Sequence, residues 1–253
     1  MSNSPSIFTF GSLVRRKPTP APRPAPKVQF SPWSSPGVSD SAWCSSDFML
    51  GAGMVIVQPS TERLVLCYET KRNFWFLPKG RKDIGETLET AALREAYEES
   101  GYRAEFLPLY NPTHQPPPPG TDLTVRTKNT EAIYISTLAW GPRYTRDGRL
   151  YDRGGEYLTH WYVGQIPGDA VRHEGTGMPD EQDYISEIIT FEEALQKDLA
   201  SVEERAIRYA WALWQDTKKV DQQIESERRA HRGVTGLSTT LTTVVGVQPN
   251  STG

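Results

Sequence analysis

Cysteine is nearly missing from this chain. Only Cys44 and Cys67 occur among 253 residues, with no CxxC spacing, which excludes a four-cysteine zinc site and leaves no disulfide framework. Long apolar runs are missing too. No stretch approaches the roughly 20 residues of a membrane span, and the N-terminus has no apolar core of a secretion signal. Neither sign of charge dominates, because 28 Lys and Arg face 31 Asp and Glu, so bulk electrostatics does not hold the chain on nucleic acid. These absences predict a reduced cytoplasmic or nuclear protein with no membrane partner. Hydrophobic residues are sparse as well, at 37% with a mean hydropathy of −0.55, so part of the chain is expected to be disordered.

Proline is abundant and unevenly placed. Eight of the twenty lie between Pro5 and Pro36 and five between Pro112 and Pro119. The reading that follows is a disordered Pro/Ser-rich tail over residues 1–41, a folded domain over 42–217 and a flexible polar tail over 218–253. The alternating prolines of KPTPAPRPAPK also suit a polyproline II ligand for an SH3-like partner.

Within the folded part, FMLGAGMVIV and LVLCYE read as two strands joined by a Pro/Ser turn, and NFWFLP as a short third. A helix is predicted from Thr87 to Ser100, with Thr87 as N-cap and Gly101 as its stop. Strands follow at Thr130–Ala139, Tyr157–Ile166 and Glu187–Thr190, with a polar segment over Gly141–Gly155. One last helix from Phe191 to about Asp216 carries apolar residues at helical spacing.

The chemistry is concentrated in GRKDIGETLETAALREAYEESGY, Gly80 to Tyr102. Its glycine spacing approaches that of a P-loop, but Glu86 stands where that motif needs the phosphate-binding lysine, and a carboxylate there repels phosphate. Placed at about 100° per residue, Glu95, Glu98 and Glu99 fall within an arc of roughly 100° on the predicted helix. Three such carboxylates raise one another's pKa unless a cation joins them, and hard oxygens suit Mg²⁺ or Mn²⁺ better than zinc. Arg94, four residues before Glu98, is placed to pair with it. The alternative is a solvated acidic face. Against that stands the short loop just upstream with Lys79, Arg81 and Lys82, a phosphate-binding arrangement beside a metal-binding one.

The segment resembles the Nudix box, GX5EX7REUXEEXGU with U apolar: Gly80, Glu86, Arg94-Glu95, Ala96, Glu98-Glu99, Gly101 and Tyr102 stand at its positions. The resemblance extends over roughly Phe48 to Asp216 and implies an α/β fold, a Nudix-type α/β/α sandwich with a mixed central sheet. It also implies a divalent-metal-dependent pyrophosphohydrolase acting on diphosphate compounds. In that family the glutamates matching Glu95, Glu98 and Glu99 bind metal, with Glu98 and Glu99 the main ligands and Glu95 a ligand or general base. The carbonyl beside Gly80 is a further ligand, and Glu86 supports the loop and helix. Some members take the base from a late loop, where Asp180, Glu181 and Asp183 are the candidates here.

Substrate choice is less sharply marked. Lys71, Arg72, Lys79, Arg81 and Lys82 place five cations within twelve residues, which suits a polyphosphorylated small molecule such as a diphosphoinositol polyphosphate or a dinucleoside polyphosphate. Other diphosphate compounds remain open: ADP-ribose, an oxidised nucleotide or capped RNA, the one nucleic acid in view. So does a non-catalytic ligand- or protein-binding module, which the intact glutamates disfavour. Arg126 and Lys128 offer further phosphate contacts, and Phe74, Trp75 and Trp161 offer rings for a base, although strand aromatics more often belong to a core.

Overall fold

A computed structural model describes residues 31–35, 41–122, 126–179, 181 and 183–241. The chain divides into two compact units, residues 1–39 and 40–253. Of the first, the described part is an exposed turn closed by the Ser34 amide donating to the Ser31 carbonyl at 3.0 Å. The proline-rich ligand predicted at KPTPAPRPAPK and residue Asp180 lie outside the described residues.

The second unit is built on a strand buried on both faces. β1, Phe48–Gln58, is central in a mixed sheet. It pairs in parallel with β9, Gly155–Gln165, and antiparallel with β2, Arg63–Glu69, and with β4, Lys79–Arg81. β2 in turn pairs with β10, Tyr184–Ile189, and with β3, Phe74–Phe76. β9 carries β5, Glu105–Phe106, and β6, Tyr134–Trp140, on its far side. Alternation along β1 divides the core in two. Ala52, Met54 and Ile56 face the helix α1, Leu88–Ser100, where Ala91, Ala92 and Ala96 allow close approach. Val55 and Val57 face the opposite helix α3, Ser201–Leu241, through Ile207, Ala210, Leu213 and Trp214. The three-layer α/β/α sandwich with a mixed central sheet is therefore as expected, and the unbroken apolar run GMVIV reflects burial on both faces.

Several boundaries differ from the sequence reading. Lys79–Arg81, expected as loop, is a strand because its backbone completes the edge of β1 at Gly51–Gly53. The polar Gly141–Gly155 segment contains a hairpin of β7, Arg143–Tyr144, and β8, Leu150–Asp152, with Gly148 at φ 81° in the turn. The single helix predicted from Phe191 is interrupted: α2 spans Phe191–Ala194 under a Thr190–Glu193 capping box, and α3 begins only at Ser201. The flexible tail expected from Lys218 is instead helical as far as Leu241. Its first turns are held by Lys218–Glu62 and Lys128–Asp221 ion pairs, each at 2.7 Å, and by buried Thr217, whose hydroxyl accepts from the Tyr110 amide. Further along, Arg229–Glu225 at i,i+4 supports the helix itself. Among the described residues no helix is long and apolar enough to cross a membrane.

Candidate functional site

The loop before α1, the end of β4 and two glutamates of the helix meet at one guanidinium, that of Arg94. Thr87 caps the helix, its hydroxyl accepting from the Thr90 amide at 3.1 Å, and Gly101 closes it in the left-handed region at φ 78°. Upstream, Gly85 at φ 85° turns the chain so that Glu86 folds back, accepting from the Asp83 amide at 3.0 Å. Arg94 donates through Nε and Nη2 to the two oxygens of Glu86, both at 2.9 Å, a bidentate fork. Its Nη1 reaches Glu95 at 2.8 Å and Glu98 at 2.9 Å, and Nη2 also reaches the Arg81 carbonyl at 2.9 Å. The predicted Arg94–Glu98 pair is present, within a larger network that the helix spacing alone did not indicate. Arg94 holds the Glu86 carboxyl below the usual range, and its own pKa is raised first by Glu86.

Two of the three carboxylates on the acidic face are buried, and Glu98 is partly exposed. Glu95 and Glu99 are 6% and 7% exposed, and burial pushes Glu95 up to about 7 even though Arg94 opposes the shift. Burial raises Glu99 well above the carboxylate range too, against the Lys79 amide that donates to it at 2.7 Å. Gly80 is required here by contact: a Cβ at that position would overlap the Glu95 carboxylate. Arg94 takes one oxygen each of Glu95 and Glu98 and the Lys79 amide one of Glu99, so each carboxylate keeps a second oxygen outside these bonds.

The donor chemistry fits a hard divalent cation, since all the candidate ligands are oxygens and two are buried carboxylates whose charge lacks full compensation. Among the described residues no three acidic, His or Cys side chains already surround one point at ligand spacing; Glu95 and Glu98 each bond Arg94.

The late loop folds against the same helix. The Thr176 hydroxyl donates to the Glu98 carbonyl at 2.9 Å, and Glu181 accepts from the Met178 amide at 2.8 Å. Glu181 also contributes to raising both Glu95 and Glu99. Arg172, Thr176, Glu181 and Tyr184 line a narrow cleft with Glu98 and Glu99. Asp183 stands apart from this cleft, ion-paired to Lys71.

The five predicted cations do not form one patch. Lys71 pairs with Asp183, and Lys79 reaches Glu203 on α3 at 2.6 Å while lying 5.3 Å from the Phe76 ring centroid. Lys82 donates to the Asp83 carbonyl at 2.9 Å, whereas Arg72 and Arg81 are exposed. Glu203 was not legible as part of the site, because it sits in a helix whose visible signal was its apolar stripe. The rings named for base stacking fare similarly. Trp161 is buried under α3, and Trp75 is covered by Lys197 at 4.0 Å. Arg126 and Lys128 lie over Tyr110.

The NUDIX domain family model matches residues 47–210. A Bacillus subtilis (strain 168) protein, provisionally named an 8-oxo-dGTP diphosphatase, is 44% identical over 50 residues, which is 20% of this chain and 34% of that protein. The match thus spans about a third of that relative's length. Among solved structures, a NUDIX hydrolase from Nitrosomonas europaea is similar at 18% identity and TM-score 0.38, over 65% of this chain and 88% of that one. A hydrolase of the NUDIX family from Clostridium perfringens is similar at 16% identity and TM-score 0.42, over 66% and 98% of the two chains. With its signature on α1 and the family model spanning residues 47–210, this chain belongs to the Nudix family.

Proposed function

We propose that this protein hydrolyses a diphosphate linkage in a phosphorylated small molecule, using Mg²⁺ or Mn²⁺ held by α1. The observation that carries the reading is the pair of buried carboxylates, Glu95 and Glu99, beside Glu98 on one helix face. Nudix hydrolases are in general divalent-metal dependent, and a hard cation relieves the charge that burial penalises. Glu98 and Glu99 serve as the main ligands, with Glu95 and the carbonyl at Gly80 beside them. When bound, such a cation supplies a Lewis acid for a phosphoryl oxygen and lowers the pKa of a coordinated water.

The chain's own residues do the rest. Glu86 and Arg94 fix the helix against the β4 turn. Glu95, buried beside Gly80 with one oxygen outside its bond to Arg94, is the first candidate to accept a proton from the attacking water, and Glu181 is the second. Exposed Arg81 and Arg72 are the cations available to substrate phosphates. Lys71, Lys79 and Lys82 act mainly on protein partners, so a polyphosphorylated substrate, diphosphoinositol or dinucleoside, rests on fewer free charges than the sequence count indicates. The name of the Bacillus subtilis relative adds nucleoside triphosphates to the compounds worth assaying.

The test is a panel of diphosphoinositol polyphosphates, diadenosine polyphosphates, ADP-ribose, capped RNA and oxidised nucleoside triphosphates, assayed with Mg²⁺ and with Mn²⁺. Wild type is expected to cleave at least one class at the anhydride, and Glu98→Gln to lose about a hundred-fold or more in kcat with unchanged circular dichroism. No cleavage of any compound, or equal rates for the variant, contradicts the reading.

A further inference from the structure

The two edges of the large sheet are built differently. Its order runs β10-β2-β1-β9, with β5 and β6 along the outer side of β9. One edge strand, β10, is six residues long and carries exposed Glu187. Arg172 reaches across it, donating to the Ser186 hydroxyl at 2.9 Å and to the Tyr184 carbonyl at 3.1 Å. A charge on the strand and a side chain laid against it are two ways of keeping an edge from pairing with another chain.

The other edge strand carries no such charge. β6, YISTLAW, has no charged residue and no proline over its seven positions, and its β-branched and aromatic residues favour pairing. It runs along β9 without interruption from Tyr134 opposite Trp161 to Trp140 opposite Gly155. The register shift nearby lies beyond it, in the hairpin at Arg143 and Tyr144. Ile135 is 58% exposed and Leu138 67% exposed, on opposite faces of the strand, and Thr137 and Ala139 between and beside them are exposed too. A straight, uncharged edge flanked by exposed apolar side chains is a template for one more strand.

The residues flanking β6 indicate which strand that is. Antiparallel pairing of β6 with a second copy of itself about Thr137 sets Ile135 across from Ala139 and Ser136 across from Leu138. Continued past the strand ends, the same register brings Glu131 of each copy level with Arg143 of the other. Both residues are exposed, and Arg143 has a loose contact of 3.7 Å with Asp152 in its own chain. A register shifted by one residue puts Pro142 or Tyr144 across from Glu131 instead. We propose that two copies of this chain associate through β6, extending the sheet across a two-fold axis centred on Thr137. The pairing satisfies the outward N–H and C=O groups of the edge and covers Ile135 and Leu138, while two Glu131–Arg143 pairs select the register. It closes at two copies, because the β10 edges left outside carry charge.

Sedimentation equilibrium of the full-length protein tests this. At about 100 μM the wild type is expected to be a dimer, with twice the 28.4 kDa mass of the chain. Leu138→Lys puts a charge on the exposed edge and weakens association about ten-fold or more with unchanged circular dichroism. Glu131→Arg and Arg143→Glu each set like charges against one another across the two-fold axis, and each alone weakens self-association about ten-fold. Mixing these two variants restores association to within about two-fold of wild type, because every pair across the mixed dimer again joins opposite charges. Damage to the fold of either variant is not rescued by mixing. A wild-type monomer at about 100 μM, its edge left to another chain or to water, overturns the proposal. So does a dimer that Leu138→Lys and the charge reversals leave unchanged, or a pair of reversed variants that stay apart when mixed.

Discussion

Arg94 compensates three carboxylates at once, and the acids around it differ in what they lack. Glu86 is fully forked by the guanidinium, whereas Glu95 and Glu99 are more deeply buried and carry raised proton affinities. In the metal-free protein their folded-state pKa values exceed the ordinary 4.5 of a glutamate. The folded state then binds more protons than the unfolded one, so both groups favour folding most at low pH, and the Glu95 contribution is lost as pH rises through about 7. The Tm difference between wild type and Glu95→Gln is the relevant readout: without metal, wild type loses ground to the variant between pH 5 and pH 8. Added Mg²⁺ restores wild type more at pH 8 than at pH 5. A difference that is flat across this range would contradict the burial argument. Gly80→Ala makes a second residue-scale prediction. The new Cβ displaces the Glu95 carboxylate, so cleavage falls about a hundred-fold or more while stability drops by about 1–3 kcal/mol. The local signature predicted these neighbours well, because Gly80, Glu86, Arg94, Glu95, Glu98 and Glu99 lie within twenty residues and their contacts follow from one turn and one helix.

Between elements, the site depends on contacts that no local spacing reveals. Lys79 extends its amide to Glu99 of α1 and its ammonium to Glu203 of α3, so β4 ties both helices to the sheet edge. Glu203 is 2% exposed, and removing only one member of the pair leaves a charge poorly compensated. Glu203→Gln is therefore expected to cost about 3 kcal/mol in urea unfolding, the low end for a buried pair because Lys79 is partly exposed. The double substitution Lys79→Met with Glu203→Met recovers most of that loss; additive losses would argue against coupling. The strands β1, β2 and β9 and the helix α1 were legible because their apolar patterns and caps are local. The break between α2 and α3 and the continuation of α3 past Lys218 were not. The apolar stripe runs across the break, and the helix after Lys218 draws on partners distant in sequence, Glu62, Tyr110 and Lys128 among them.

At the scale of the whole molecule, a net charge of −3 averages strongly unlike surroundings. An acidic helix face, buried and short of positive charge, sits beside basic side chains that are largely engaged elsewhere. The sandwich explains how this is tolerated: two apolar cores flank β1, and the carboxylates stand beside the β4 edge, outside both cores. The proposed activity therefore requires a divalent cation at this face. Titration of the metal-free full-length protein with Mn²⁺, followed by electron paramagnetic resonance of the free ion, tests it most directly. Wild type should remove Mn²⁺ from solution with an affinity that falls about ten-fold or more in Glu98→Gln and in Glu99→Gln. Equal Mn²⁺ binding by wild type and both variants, or cleavage of a diphosphate undiminished in excess chelator, would contradict it.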